Sequence, residues 1–391
     1  MDTTDVQFYL EKNVKVVHII TDLDMGGAEM TLYRLLSRCD RARFSPTVIS
    51  LMDRGALGDR IAALDIPLYT LNLNPKLPSL KAILYLIKLI RKIKPDIIQG
   101  WMYHANLAGF LSSFLVRKPC IWGIRNSFYS LTYEKKQTTA IILISSLLSN
   151  LIERIVFVSE ISHAQHLKLG YSRRKSLVIP NGIDISIFAP STQARKSLRY
   201  QLGLSDKSIL IGKIARFHPQ KDHENFLQAA ALLRQNRSHL DISFLLCGQG
   251  CDRENSTLRQ FIERENLTHK VHLLGQREDM PNIAAALDIA TSSSFTEAFP
   301  NTIAEAMSCG IPCVVTDVGD SAKLVGDFGK VIPSQNPEAL ARAWQELLDL
   351  GDKERHDLGQ LARQRIEKNF SLKSSVQCYE TLYQEIGKTI T

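Results

Sequence analysis

Short runs of β-branched and aliphatic residues recur along this chain, and most are followed by a longer stretch whose apolar positions fall three and four apart. The first run covers residues 14–20, and further runs fall at 47–52, 66–71, 97–100, 120–125 and 154–159. Uninterrupted apolar runs of this length read as strands buried on both faces, and the intervening pattern reads as helix. The order strand, helix, strand, helix implies a parallel, doubly wound sheet. A second set of runs begins at 209–215 and continues at 242–248, 271–274, 289–292 and 312–316. The same architecture is therefore expected twice. Between the sets, Pro180-Asn181-Gly182 and Pro190 supply turn and linker punctuation. We expect an N-terminal Rossmann-like domain over 1–185, a second over 186–368, and a terminal segment 369–391 whose residues 371–386 read as helix.

Two helical stretches carry a second message. Residues 79–94 place Ile83, Leu86, Ile87, Ile90 and Ile93 on one face, with Lys81, Lys88, Arg91, Lys92 and Lys94 mostly opposite. Core packing under a solvated basic face explains this pattern, and so does a helix lying on a membrane surface. Residues 137–152 are apolar nearly all round, which fits a buried helix or one dipping into a membrane. No stretch reaches the roughly 18 apolar residues of a membrane span.

Composition narrows the class. The chain has 391 residues, of which 45% are hydrophobic, enough for two or three full cores. The net charge of +8 is uneven: residues 1–190 carry +9 and residues 191–391 carry −1. A basic half suits an anionic membrane or a polyanionic ligand, or is a plain solvated surface; no nucleic-acid partner is expected. Residues 1–13 are polar and charged, so no cleavable signal is expected and the expected compartment is the cytoplasm. Seven Cys occur without Cys-x-x-Cys pairs. Cys247, Cys251, Cys309 and Cys313 read as buried small hydrophobes, which disfavours metal or redox chemistry.

The densest chemistry lies in the segment Ser294 to Pro312, where Glu297 and Glu305 stand eight residues apart. Pro300 suits the first position of a helix and Gly310 its stop. Glu297 then precedes a helix N-terminus, a place that attracts phosphate, while Glu305 lies within the helix. Carboxylates there are best explained as acceptors for hydroxyls on either side of an anion, and hydroxyls flanking a diphosphate describe a nucleotide sugar. Arg216 and Lys221 follow the first strand of the second set, where open α/β sheets bind ligands, and a fork of donors with a point charge suits a diphosphate. Two such cations can stabilise a departing nucleoside diphosphate where other enzymes use Mg²⁺. Gly26 and Gly27 follow the first strand and let the backbone approach a ligand, yet do not form the GxGxxG of nicotinamide enzymes. His104 follows a strand of the first half and so faces the same cleft, whereas His163, His166 and His239 read as surface residues. Arg125 and Asn126 occupy a similar strand end, placed to meet an acceptor or a phosphate. Asp22 and Asp24 match a metal-binding Asp-x-Asp superficially, but their place in the first loop favours turn formation. A pair of glycosidase carboxylates is the rival use of two acids, and the Arg/Lys pair argues against it.

These pieces occur in a fixed order: Gly26-Gly27-Ala28-Glu29, Lys94-Pro95-Asp96 leading to His104, Ile179 to Asp184, Arg216 to Lys221, Gly275, Glu297 to Glu305, and Thr316 to Gly319. The ordered set resembles the family 4 glycosyltransferases, whose GT-B fold sets two Rossmann-like domains across a cleft. The resemblance implies that Arg216 and Lys221 hold the donor diphosphate with help from Gly26 and Gly27, that Glu297 binds sugar hydroxyls, and that Glu305 binds the ribose. It implies further that His104 contacts the transferred sugar and that the backbone at Ala298 and Phe299 lines the donor pocket. Many relatives have Gly where Ala298 stands, which bears on donor identity. Transfer with retention, without metal or other cofactor, from a UDP-sugar to a lipid-linked or polysaccharide acceptor is the implied activity. A nucleotide-sugar epimerase and a non-catalytic binding subunit are the alternatives.

Overall fold

The computed structural model describes residues 13–73, 80–128, 131 and 135–388. Two parallel sheets divide the chain. The first holds β1 (Val14–Ile20), β2 (Phe44–Ser50), β3 (Leu68–Thr70), β4 (Ile97–Trp101), β5 (Cys120–Ile124), β6 (Arg154–Phe157) and β7 (Ser176–Val178), in the order β3-β2-β1-β4-β5-β6-β7. The second holds β8 (Ile209–Ile214), β9 (Ile242–Cys247), β10 (Val271–Leu273), β11 (Ile289–Ser292), β12 (Cys313–Thr316) and β13 (Gly329–Ile332), in the order β10-β9-β8-β11-β12-β13. The strand order of each sheet reverses around its first strand, so each sheet has a switch point at which loops splay apart and a ligand crevice forms.

The helices of the first half are α1 (Gly27–Arg38), α2 (Gly58–Ala62), α3 (Leu80–Ile93), α4 (Met102–Val116), α5 (Lys136–Leu148) and α6 (Glu160–Lys168). Those of the second are α7 (Thr192–Leu202), α8 (His223–Asn236), α9 (Ser256–Arg264), α10 (Met280–Ala285), α11 (Asn301–Ser308), α12 (Ser321–Val325), α13 (Pro337–Asp349) and α14 (Gly351–Asn369). The last helix, α15 (Leu372–Lys388), does not stay with the second sheet. Its buried stripe of Leu372, Val376, Tyr379, Leu382, Tyr383 and Ile386 packs into the first core with Val14, Val16, Leu35 and Phe44. The two crossing strands of chain run side by side, with Ile183 and Ser371 forming a parallel bridge. Ile183 N donates to Phe370 O at 2.9 Å and Leu372 N donates to Ile183 O at 2.8 Å.

The alternation read from the sequence yields the doubly wound pair. Strands β7 and β13 were not expected, and both are edge strands without an unbroken apolar run. Pro300 caps α11 from outside and is not its first residue. The expected surface position of His166 is corrected: the ring is buried, its Nε2 2.9 Å from the Tyr103 hydroxyl, because α6 turns this face onto Phe157 and Tyr171. Helix α5 is not buried all round, since Leu143, Ile144 and Leu147 are exposed. The four Cys read as small hydrophobes are buried, and burial pushes the thiols of Cys247, Cys251 and Cys309 up to about 11, 12 and 12.

Candidate active site

One wall of the cleft is built from two loops at the carboxyl ends of β8 and β11. After β8 the chain forms a short 3-10 turn, Pro219–Lys221, and Asp222 caps α8 by accepting from Asn225 N at 3.2 Å. The second loop is fastened to this turn. Phe295 N donates to Gln220 O at 3.1 Å, and the Ser293 hydroxyl donates to Asp222 O at 2.8 Å. Lys213, fully buried at the end of β8, donates its Nζ to Ser293 Oγ at 2.8 Å. Burial, with the like charge of Lys221, lowers the Lys213 pKa to about 7.

Sequence-predicted residues meet on this wall. Lys221 Nζ donates to Glu297 Oε2 at 2.5 Å, with both side chains largely screened from solvent. The main chain behind Glu297 is held tightly: Gly319, at φ +56, passes so close that a Cβ there would lie 2.1 Å from Glu297 O. Asp320 N donates to Ala298 O at 3.0 Å. The Phe299 ring packs on Phe370, centroids 5.7 Å apart. Arg216 is exposed beside this turn.

The first half closes on the same place. Gly27 lies against the start of α11, where an added Cβ would meet Asn301 Nδ2 at 3.5 Å. The Glu29 side chain folds back against Gly26, its Oε2 standing 2.2 Å from where a Cβ would be. Burial, reinforced by Asp22 and Asp24 and offset by its own backbone hydrogen bond and Arg216, raises the Glu29 pKa to about 7. Asp22 itself accepts from Asp24 N at 3.2 Å, the turn-forming bond expected of it. His104 is exposed in the first turn of α4, on the same carboxyl edge of the sheet as the glycine loop, since Ile20 pairs with Trp101. The corner that aims it is strained: Met102 adopts φ +71, a region costing a non-glycine residue about 1–3 kcal/mol. Although the residue reaches solvent, burial of part of its ring lowers the His104 pKa.

Several residues that the sequence reading missed join the two halves. Arg34 Nη2 donates to Glu305 Oε1 at 2.6 Å, and its guanidinium stands 5.7 Å from the Phe188 ring centroid. Asn181 also crosses, donating to Asn301 Oδ1 at 2.8 Å, while within the first half Thr31 donates to Asn181 Oδ1 at 3.2 Å and Arg38 donates to Asp184 Oδ2 at 2.7 Å. The polar spacing 31, 34, 38 on α1 puts these groups on one helix face, and that spacing was the available signal. Ser127 Oγ donates to Glu297 O at 2.5 Å. The Asp320 carboxylate accepts from Glu160 N at 2.9 Å and Ile161 N at 3.1 Å, capping α6 from the opposite half.

The structure does not present Arg125 to a bound molecule as expected. Its side chain is buried, with the guanidinium carbon 5.0 Å from the Trp101 ring centroid and 6.0 Å from that of Tyr379 on α15. A helix returning from the end of the chain covers the strand end that exposed it in the sequence reading. Asn126 remains exposed, while its carbonyl accepts from Ser162 Oγ at 2.5 Å.

Comparison with known proteins agrees with this arrangement. Residues 25–187 match the model of glycosyltransferase family 4, and residues 194–365 match that of glycosyl transferases group 1. An Escherichia coli UDP-Gal:alpha-D-GlcNAc-diphosphoundecaprenol alpha-1,3-galactosyltransferase is 26% identical over 84% of this chain and 84% of its own. A Campylobacter jejuni N,N'-diacetylbacillosaminyl-diphospho-undecaprenol alpha-1,3-N-acetylgalactosaminyltransferase is 27% identical over 63% of this chain and 65% of its own. Among solved structures, Anabaena HepE in complex with UDP and glucose superposes with a TM-score of 0.83 at 23% identity, covering 95% of this chain and 99% of that one. WaaG, a glycosyltransferase involved in lipopolysaccharide biosynthesis, gives 0.75 at 15% identity, covering 94% and 99%.

Proposed function

The chain belongs to the family 4 glycosyltransferases, and we propose that it moves a hexose-type sugar, with retention, from a UDP-sugar to a lipid-linked or polysaccharide acceptor in cell-surface glycan assembly. The observation that carries this reading is the Lys221–Glu297 pair, held at 2.5 Å on the second half and touched from the first half by Ser127. A cation aimed at a departing diphosphate and a carboxylate that accepts sugar hydroxyls stand side by side there, at the seam between the halves. The diphosphoundecaprenol acceptor in the names of two relatives supports the lipid-linked acceptor.

In this mechanism the bond from the anomeric carbon to the diphosphate breaks, and a bond to an acceptor hydroxyl forms on the same face of the sugar. The departing phosphate oxygen takes the proton of that hydroxyl. Charge grows on the diphosphate as the sugar becomes oxocarbenium-like, so fixed cations at the leaving group lower the barrier most. Lys221 and Arg216 supply that charge without a metal ion. Glu297 orients the sugar through its hydroxyls and forms no covalent bond to it. Glu305 accepts from the ribose, the glycine loop at Gly26 and Gly27 comes up to the phosphates, and neutral His104 contacts the transferred sugar. Asn126 is the remaining acceptor-side candidate, with Arg125 behind it.

The test is a thermal-shift screen of nucleotide sugars in chelator, followed by transfer to a polyprenyl-diphosphate sugar and determination of the new linkage by NMR. A UDP-sugar should raise the melting temperature by mass action and yield a product with the donor's anomeric configuration. Inverted product, or transfer only when Mn²⁺ is added, would overturn the proposal.

A further inference from the structure

His166 lies wholly inside the first half, and nothing in the proposed mechanism uses it. Both of its ring nitrogens are engaged. Nδ1 stands 2.7 Å from Ser162 O, one turn earlier on α6, and Nε2 stands 2.9 Å from the Tyr103 hydroxyl. A carbonyl oxygen can only accept, so Nδ1 carries the proton and Nε2 is left to accept from the tyrosine O–H. The tautomer follows from the contact with Ser162. Burial lowers the His166 pKa to about 4, which keeps the ring uncharged and this pattern of bonds intact at neutral pH. The His166 and Tyr103 rings also stack, centroids 5.8 Å apart with 29° between their planes.

Tyr103 stands between Met102, at φ +71, and His104. A residue held in that region persists where its surroundings over-determine it. Two ties do so here. Asn106, in the next turn of α4, donates from Nδ2 to Gly123 O and accepts at Oδ1 from Gly123 N, both at 3.1 Å, which fastens the helix to β5. Tyr103 reaches sideways and fastens the first turn to α6. We propose that the Tyr103–His166 clasp fixes the place of His104 in the cleft, making Tyr103 and His166 positioning residues for sugar transfer. This deepens the proposed function and rests on its assignment of His104 to the transferred sugar. Helix α6 suits the task because it also holds the loop that meets the opposite wall. Gln165 donates from Nε2 to Phe128 O at 2.8 Å and accepts at Oε1 from Phe128 N at 3.2 Å, one residue after Ser127, whose hydroxyl donates to Glu297 O. Asp320 of the second half caps the same helix. One helix thus sets His104 and the Glu297 loop against each other, and a contact group displaced by about 1 Å can cost roughly 100-fold in rate.

Transfer from the stabilising UDP-sugar to a polyprenyl-diphosphate sugar is measured in variants of the full chain. Tyr103→Phe and His166→Gln should each lower kcat about tenfold or more, with KM for the nucleotide sugar within about twofold of wild type. Tyr171→Phe is the control: it removes a buried hydroxyl that donates to Ile142 O at 3.1 Å in the same core, and it should keep the wild-type kcat. Adding Tyr103→Phe to His104→Ala should cost nothing further, since the clasp acts through His104. Independently of turnover, the titration of the His104 ring followed by NMR should move up toward 6.5 in Tyr103→Phe and stay in place in Tyr171→Phe, because a loosened corner lets more water reach that ring. Wild-type kcat in Tyr103→Phe, an equal fall in Tyr171→Phe, a full second loss on top of His104→Ala, or an unmoved His104 titration overturns the proposal. His104→Ala at the wild-type rate, with the titration shifted as expected, would instead fault the functional reading: the clasp holds the residue, but the residue does not serve transfer.

Discussion

Arg34 and Glu305 are 271 residues apart in sequence and 2.6 Å apart in space, an ion pair that runs from the first helix of one half to the helix behind the donor loop of the other. The carboxylate proposed to hold the nucleotide ribose therefore already has a cation from across the cleft. Both side chains are mostly buried, so removing one partner strands the other's charge at a cost of about 1–3 kcal/mol.

Arg34→Ala is expected to lower the melting temperature by a few degrees and to raise KM for the nucleotide sugar more than it lowers kcat, with partial recovery in Arg34→Lys. Calorimetry and initial rates check this. Wild-type stability in Arg34→Ala would mean that the pair holds nothing together.

Lys221 and Glu297 are ion-paired, so their losses should not add. Lys221→Ala and Glu297→Gln are each expected to lower kcat at least about 100-fold with little change in melting temperature. The double variant should fall little further. Full additivity in a double-mutant cycle would separate the two roles.

Glu29 titrates near neutrality. Its folded pKa, about 7, lies above the ordinary carboxylate value, so the folded state keeps a proton that the unfolded state has lost. Stability from this group accordingly declines as pH rises from about 4.5 to 7 and stays low above that. Glu29→Gln should flatten that part of the melting-temperature profile and gain on the wild type at pH 8. An unchanged slope would contradict the placement of Glu29 among Asp22 and Asp24.

Lys213 should report the arrival of the donor diphosphate. Its folded pKa of about 7 lies below the ordinary value of 10.5, so near pH 8 it is mostly neutral, and stability tied to this group rises with pH between those values. A diphosphate placed beside Lys221 raises the Lys213 pKa again. Binding at pH 8 should therefore take up protons, seen as a calorimetric enthalpy that varies with buffer. Lys213→Met should remove most of the effect while Glu29→Gln removes less; equal uptake in wild type and Lys213→Met would exclude Lys213 as its source.

The sequence disclosed what local pattern controls and little of what the packed chain adds. Apolar runs located most strands because both faces of each are buried, whereas β7 and β13, short and half-covered at the sheet edges, have no such run. The meeting of Lys221 with Glu297 was legible because a strand end and helix punctuation fix their neighbourhoods. Arg34 was not, since its partner is set by how the halves close. Arg125 misled for a related reason: only a helix more than 250 residues further along decides that it is covered.

The bridge between Ile183 and Ser371 hands α15 back to the first core, and this has a consequence for biosynthesis. During translation the leading half emerges early but lacks the stripe from Leu372 to Ile386 that completes it, so the surfaces of Phe44 and Trp101 must wait until α15 has been made. Co-translational maturation then cannot follow the usual order in which the earliest domain settles first. A stop codon near position 370 would remove a small fraction of the chain and leave the earlier-made domain, not the later one, unfinished.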